Sequence, residues 1–423
     1  MFNEARAIQA GGAVDADLVA PPSKSVTQRL LILGALASGV SRIVQPLDAD
    51  DTRVMAEALR AVGIGIGQGA RAWEIRGGGG RLPSPGASVD AGSAGTAARF
   101  LTALLCLGRG RYLLDGSPRM RERPIQPLVD ALRELGARIR YLGTRGSPPL
   151  EILAEGLRGG RVSIRAGMSS QYLSALLLVA PRAAGALRIA PEGEIASAPY
   201  LRLTAQVMVR FGIELQEPAP LSFSVEPQDF AGRELRVEGD YSSAGYFFAA
   251  AAITGGQVRV SNLQPDSAQA DRGILEVLEK MGCKVIAQGE GVALSGGELE
   301  AADCNLSGMP DAAPTLAVTA LFARGRSRFT GLSTLRVKET DRVAALAREL
   351  ARLGAEIREG PDFLEIQPRP LQGASIETYE DHRMAMSFAL AGLRIPGVII
   401  RDPGCVSKSF PEFWEAFAKL ESA

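Results

Sequence analysis

Hydrophobic positions along the chain fall into two alternating kinds of run. One kind is apolar on every side: SKSVTQRLLILGALASG (23–39), GSAGTAARFLTALLCLG (92–108), SSQYLSALLLVAPRAAG (169–185), YSSAGYFFAAAAITGG (241–256), PDAAPTLAVTALFARG (310–325) and EDHRMAMSFALAG (380–392). Each opens on a polar or small-residue turn and closes on glycine. A helix that is apolar all round has no face for water, so these runs predict six helices buried at domain centres. The other kind is amphipathic: DDTRVMAEALRAVG (50–63), RPIQPLVDALRELG (123–136), PYLRLTAQVMVRFG (199–212), DRGILEVLEKMG (271–282) and KETDRVAALARELARLG (338–354). In the last, Val343, Leu346, Leu350 and Leu353 share one helical face. These five runs end at Gly63, Gly136, Gly212, Gly282 and Gly354, where a helix favours a left-handed residue just past its end. Strand-like runs such as ARIRYL (137–142) and CKVIAQ (283–288) follow, and FPEFWEAFAKL (410–420) ends the sixth copy.

The pattern is one unit of roughly 70 residues repeated six times: strand, buried helix, strand, amphipathic helix, short strands. Six such units predict an α/β protein of two domains with three repeats each. An open solenoid has the same periodicity. Three wholly apolar helices per domain favour closed globules over a stack with two exposed ends. The Pro/Gly-rich stretches 77–86 and 143–149 read as turns, and RGGGGRLP (76–83) lacks the Lys-Ser/Thr of a phosphate-binding P-loop.

Composition narrows the function. Hydrophobic residues at 46% and charged residues at 22% are ordinary for a globular chain. With 47 basic and 47 acidic side chains the net charge is zero, so nothing global steers the chain to nucleic acid or an anionic membrane. Any basic site must be local. The four cysteines form no C-x-x-C pair and His382 is the single histidine, so a Cys/His metal site is not expected. The start, MFNEARAIQAGG, carries an acidic residue at position 4 and no apolar core of a signal peptide. Apolar runs stop near ten residues, short of a membrane span. A cytoplasmic protein of a reducing compartment is expected. Lysine is scarce, six against 41 arginines, and Lys24, Lys338 and Lys408 all fall in the motifs below. An ammonium where arginine is otherwise the rule points to a compact charge or a proton-transfer role.

Candidate chemistry sits where the buried helices begin, because helix N-termini favour anions. Lys24, Ser25 and Arg29 open the first; Ser93, Gly95, Thr96 and Arg99 the second; Ser169, Ser170 and Gln171 the third; Asp311 the fifth; His382 and Arg383 the sixth. Singly, each has a plainer reading: Ser169 and Ser170 as a helix cap, Gly95 as close backbone packing, Arg99 and Arg342 as surface ion pairs. Repetition of anion-binding groups in equivalent turns outweighs those readings. RMRERPI (119–125) adds three arginines before a proline-started helix. In LRVKETDR (335–342), Lys338 and Arg342 would be i, i+4 on a helix, so two cations would converge. That costs stability, and an anionic ligand explains it better.

Together, PPSKSVTQR (21–29), AGSAGTAAR (91–99), PRMRERPI (118–125), SSQY (169–172), SAPY (197–200), GDYSSAGYF (239–247), MPDAAPT (309–315), LRVKETDR (335–342), DHRMAM (381–386) and VSKSFPEF (406–413) resemble the 5-enolpyruvylshikimate-3-phosphate (EPSP) synthase family. They follow the family's order and span the chain. The resemblance implies a two-domain inside-out α/β barrel, the enolpyruvyl transferase fold, with βαβαββ-type repeats and a cleft that closes on substrate. Its domains would be 20–237 and 1–19 plus 238–423. It implies transfer of the enolpyruvyl group of phosphoenolpyruvate (PEP) to the 5-hydroxyl of shikimate 3-phosphate, with release of phosphate. No metal and no cofactor are implied, since arginine and lysine can do the charge work. The partners implied are these two small molecules alone, and the protein would be a monomer.

By match, Lys24, Ser25, Arg29, Ser169, Ser170, Gln171, Ser197, Asp311, Thr334 and Lys338 would hold shikimate 3-phosphate. Lys24, Gly95, Arg123, Gln171, Arg342, Arg383 and Lys408 would hold PEP. Asp311 would accept the proton of the attacking hydroxyl, and Glu339 with Lys24 would handle the proton at the PEP methylene. Three positions depart from the family pattern: Ser93 stands for the usual Asn, Phe100 for Pro and Thr334 for Asn. Ser93 and Thr334 keep a hydroxyl. Gly95 implies room for glyphosate in the PEP site, and Phe100 is the departure that bears on it. The rival relative, UDP-N-acetylglucosamine enolpyruvyl transferase, typically has Lys-Asn where Lys24-Ser25 stands and a loop cysteine that PRMRERPI lacks. A non-catalytic sensor of phosphorylated metabolites would need the cations but neither Asp311 nor Glu339.

Overall fold

The structure, a computed structural model, describes residues 5–287, 289 and 291–421. The acidic residue at position 4, the first four residues of the 1–19 segment and the last of the 283–288 run lie outside the described residues. Each repeat supplies one central and one outer helix. They are α1 (Lys24–Leu36) and α2 (Asp50–Ala61), α3 (Gly95–Leu105) and α4 (Gln126–Glu134), α5 (Gln171–Val179) and α6 (Pro199–Arg210). The later three repeats give α7 (Tyr241–Thr254) and α8 (Ile274–Lys280), α9 (Ala313–Thr319) and α10 (Arg342–Arg352), α11 (His382–Gly392) and α12 (Phe413–Glu421).

Two compact units result, residues 22–237 and residues 1–21 with 238–423. In the first, α1, α3 and α5 contact one another pairwise; in the second, α7, α9 and α11 do. That closure is what the all-round apolar runs require. A linear stack would keep the first and third helices apart, whereas here every face meets another helix or a sheet. All eleven residues of α11 and 13 of the 14 in α7 are buried. The outer helices bury one stripe: Val343, Leu346 and Leu350 of α10 face inward, with Leu353 buried at its end. The five predicted terminating glycines all have positive φ, from 82° at Gly212 to 104° at Gly282 and Gly354.

Sheets cover these cores. In Ser38–Val44, Ala72–Gly78 and Gly65–Gln68 neighbours run antiparallel, and a fourth strand lies parallel along Ser38–Val44. That fourth strand is Glu234–Arg236, which opens the fourth repeat. Conversely Asp15–Leu18, which opens the first repeat, pairs parallel with Gln257–Val260. The two opening strands are therefore exchanged. In the sixth sheet Ala5–Ala7 lies antiparallel to Ile399–Arg401, taking a place the last repeat does not fill. Among the described residues no helix is long and apolar enough to cross a membrane.

One expectation is corrected. α10 begins at Arg342, because the Asp341 side chain caps it by accepting from Ala344 N at 3.0 Å. Lys338 is extended and follows a 3₁₀ turn, Ser333–Val337. Lys338 and Arg342 therefore do not share a helical face. As expected, the arginines 119–123 precede a helix with proline in its first turn, α4, which starts at Gln126 with Pro127 next; a 3₁₀ turn, Met120–Glu122, lies among them.

Candidate functional site

The central helices of unit 22–237 start without negative charge: none of α1, α3 and α5 has an acidic residue in its first turn. Their N–H groups and helix dipoles leave a positive surface. Cationic side chains add to it. Lys24 is the first residue of α1, with Nζ 3.0 Å from Asp51 Oδ2 at the start of α2. Arg123 is 7% exposed and donates from Nη1 to Ser93 O at 3.4 Å. Its guanidinium lies over Gly95, where a Cβ would stand 2.6 Å from Nη2. Arg119 and Arg121 turn outward to Glu122 and Asp115, so one arginine of that run, Arg123, faces inward.

The segment carrying Arg123 is pinned from behind. Pro124 O accepts from Arg99 Nη2 at 2.6 Å and from the Tyr172 hydroxyl at 2.8 Å. Arg99 is thus scaffold and not a surface ion pair. Gln171 Nε2 donates to Thr96 Oγ1 at 3.0 Å, tying the starts of α5 and α3 together. Ser169 Oγ accepts from Gln171 N at 3.2 Å, a capping contact, and Ser170 is buried beside it. Arg29 is the most enclosed. It donates to Thr204 Oγ1, Ser25 O and Tyr200 O, and its Cζ lies 5.3 Å from the Phe100 ring centroid. Burial lowers its pKa to about 10, which leaves it charged at neutral pH. Ser197 sits before α6 with a φ of 57°, in the left-handed region.

The other unit is built differently. Each of its central helices is preceded by an aspartate: Asp240 before α7, Asp311 before α9 and Asp381 before α11. Asp240 and Asp381 are N-caps, accepting from Ser243 N and Arg383 N. Cations converge on Asp311. Arg342 Nη1 stands 2.9 Å and Lys338 Nζ 3.3 Å from Oδ1, and Arg383 Nη2 is 3.4 Å from Oδ2. Burial pushes the Asp311 carboxyl up, but Lys338, Arg383 and Arg342 outweigh it and hold the group well below the usual carboxylate range. The convergence that helical spacing was expected to bring about is brought about by this carboxylate.

Arg342, 1% exposed, organises the cluster. Besides Asp311 it reaches Asp381 through Nε at 2.6 Å and Glu339 Oε2 through Nη2 at 2.8 Å. Glu339 Oε1 lies 3.9 Å from Lys408 Nζ. Lys338, Arg342, Arg383 and Lys408 thus face Asp311, Glu339 and Asp381, four positive charges against three negative. Thr334, in the 3₁₀ turn before Lys338, is 5% exposed and its hydroxyl makes no hydrogen bond. Among the described residues no group of three or more His, Cys, Asp or Glu side chains is placed to hold a metal ion.

Two residues of these clusters were not picked out from sequence. Asp381 had a readable signal, an aspartate just before a helix. Asp51 had none, since its partner Lys24 lies 27 positions away.

A sequence model of the family described as "EPSP synthase (3-phosphoshikimate 1-carboxyvinyltransferase)" matches residues 8–417. A protein of Thiobacillus denitrificans named 3-phosphoshikimate 1-carboxyvinyltransferase is 46% identical over 409 residues, covering 95% of each chain. One of the same name from Syntrophobacter fumaroxidans is 44% identical over 421 residues, 99% of this chain and all of the relative. Among solved structures, EPSP synthase from Acinetobacter baumannii matches with a TM-score of 0.81 at 28% identity over 98% of each chain. The enolpyruvyl transferase NikO from Streptomyces tendae matches at 0.80, covering 99% of this chain and 98% of its own; at 18% identity that likeness is one of fold.

Proposed function

The chain belongs to the EPSP synthase, or 3-phosphoshikimate 1-carboxyvinyltransferase, family, and we propose how its own residues carry out that family's reaction. It is an enzyme with the two-domain enolpyruvyl transferase fold. It transfers the enolpyruvyl group of PEP to the 5-hydroxyl of shikimate 3-phosphate, giving EPSP and phosphate in the shikimate pathway to chorismate and the aromatic amino acids. The rival transferase and the non-catalytic sensor are set aside by this membership.

In the proposed arrangement shikimate 3-phosphate is held by Lys24, Ser25, Arg29, Ser169, Ser170, Gln171, Ser197, Asp311, Thr334 and Lys338. PEP is held by Lys24, Gly95, Arg123, Gln171, Arg342, Arg383 and Lys408. The starts of α1, α3 and α5, free of acidic residues, suit phosphate and carboxylate groups. Most of the acid–base work falls to the other unit, where carboxylates already stand among the cations. Asp311 takes the proton as the 5-hydroxyl oxygen attacks the PEP carbon that carries phosphate. Glu339, with Lys24, delivers the proton to the methylene carbon. Return of that proton with loss of phosphate completes the transfer.

The observation that carries this reading is the meeting of Lys338, Arg342 and Arg383 on the Asp311 carboxylate. Held so firmly ionised, Asp311 alone is a weak base. Substrate phosphate and carboxylate groups compete for the same three cations, so binding raises its basicity where and when the hydroxyl arrives. We further propose that the two units act as domains 20–237 and 1–19 with 238–423, and that the enzyme is a cytoplasmic monomer.

The test is Asp311→Ala. Shikimate 3-phosphate is expected to bind within about tenfold of wild type, by calorimetry, while turnover falls about 10²- to 10⁴-fold, the usual contribution of a general base. Turnover within tenfold of wild type would refute the assignment.

A further inference from the structure

The segment between the strand Ser375–Ile376 and α11 bends in a way side chains resist. Tyr379 and Glu380 stand in succession at φ of 56° and 55°, and neither is glycine. L-residues hold such a conformation only where their surroundings over-determine it, and positions like this gather at functional sites. Here Glu349 of α10 over-determines it. Its side chain is fully buried and takes three donors: the Tyr379 hydroxyl at 2.6 Å, Glu377 N at 3.2 Å and Arg352 Nη1 at 3.1 Å. Arg352 Nη1 also donates to Ser375 O at 3.2 Å. Thr378 O then accepts from Asp381 N at 2.9 Å, which closes the turn.

Glu349 follows Arg342 by seven residues, two turns along the same face of α10. The 377–381 segment is therefore held at two points on one rigid element. Tyr379 is held by Glu349, and Asp381 by the fork of Arg342. Between them these contacts set where α11 begins, and so where Arg383 reaches Asp311. We propose that Glu349 and Tyr379 are positioning residues for PEP binding, fixing the placement of Arg342 and Arg383 through this two-point attachment. The inference rests on the reading in which those two arginines hold PEP.

Tyr379→Phe removes one hydroxyl and keeps the ring. The KM for PEP should rise about tenfold, while kcat and the KM for shikimate 3-phosphate stay within twofold, since a lost charge-assisted hydrogen bond is of that order. Glu349→Gln keeps one acceptor oxygen for the tyrosine but turns an amide NH2 toward Glu377 N and Arg352 Nη1, both donors, and should give a rise of the same kind at least as large. A merely structural role would lower thermal stability and move both KM values together. That outcome, or an unchanged KM for PEP, would overturn the proposal. Should the tyrosine variant not fold, the Glu349→Gln split is read by the same criteria. Arg383→Ala runs beside them. If it leaves the KM for PEP unchanged, the underlying assignment falls and this proposal with it. If it raises that KM and neither other variant does, the positioning role alone is wrong.

Discussion

At the scale of single residues the site depends on what Gly95 omits. Arg123 can lie across the start of α3 because no Cβ stands there; one would come within 2.6 Å of Nη2 and 2.8 Å of Cζ. The obstructed atoms are the far end of a long side chain, so Gly95→Ala moves Arg123 and spares the fold. We expect the KM for PEP to rise about tenfold or more, as for a displaced charged contact, with the thermal midpoint almost unchanged. Steady-state kinetics beside thermal denaturation checks both, and an unchanged KM for PEP would remove Arg123 from the PEP site. Phe100 belongs to a different contact. It is buried, and its ring faces the Arg29 guanidinium. At this scale the sequence singled out Asp311 and Arg383 at equivalent helix starts, and Lys338 and Arg342 through a helical spacing the structure does not have. It could not show that Arg342 grips Asp381, or Lys24 Asp51, since those partners are 39 and 27 positions apart.

At the scale of elements, charge at the helix starts divides the labour. α1, α3 and α5 begin without acidic residues, α1 on Lys24, while Asp240, Asp311 and Asp381 precede α7, α9 and α11. The first set keeps its dipoles clear of carboxylates; in the second Asp311 and Asp381 meet cations, and Asp240 accepts from Ser243 N. Helix ends repay the same attention. Gly354 closes α10 at a φ of 104°, and a Cβ there would stand 2.6 Å from Pro370 O. Gly354→Ala combines left-handed strain with a backbone clash. It should cost roughly 1–3 kcal/mol in urea unfolding and leave both KM values unchanged. A loss under about 0.5 kcal/mol would show that the turn is not constrained as described. The existence and type of the long helices were legible because apolar periodicity records burial directly. Their boundaries were not. The Asp341 cap starts α10 four residues after Lys338, where the pattern alone continues unbroken. Nor does any local pattern announce that Glu234–Arg236, three residues with charge at both ends, pairs with Ser38–Val44.

At the scale of the whole molecule, six copies of one unit have ceased to be equivalent. Each set of three closes its own triangle of buried helices, which answers why the apolar runs have no polar face. The opening strands of the first and fourth repeats are exchanged, so the chain passes from one unit to the other near residues 21 and 237. Repetition supplied equivalent turns, and divergence then gave one unit helix starts without acidic residues and the other aspartates. The account's central claim is that this chain moves an enolpyruvyl group by charge and proton transfer from its own side chains. Phosphorus NMR of the purified protein with PEP and shikimate 3-phosphate tests it most directly. The account predicts that inorganic phosphate and EPSP appear at equal rates, with or without a chelator. Phosphate that fails to appear, or that appears from PEP without shikimate 3-phosphate, would contradict it.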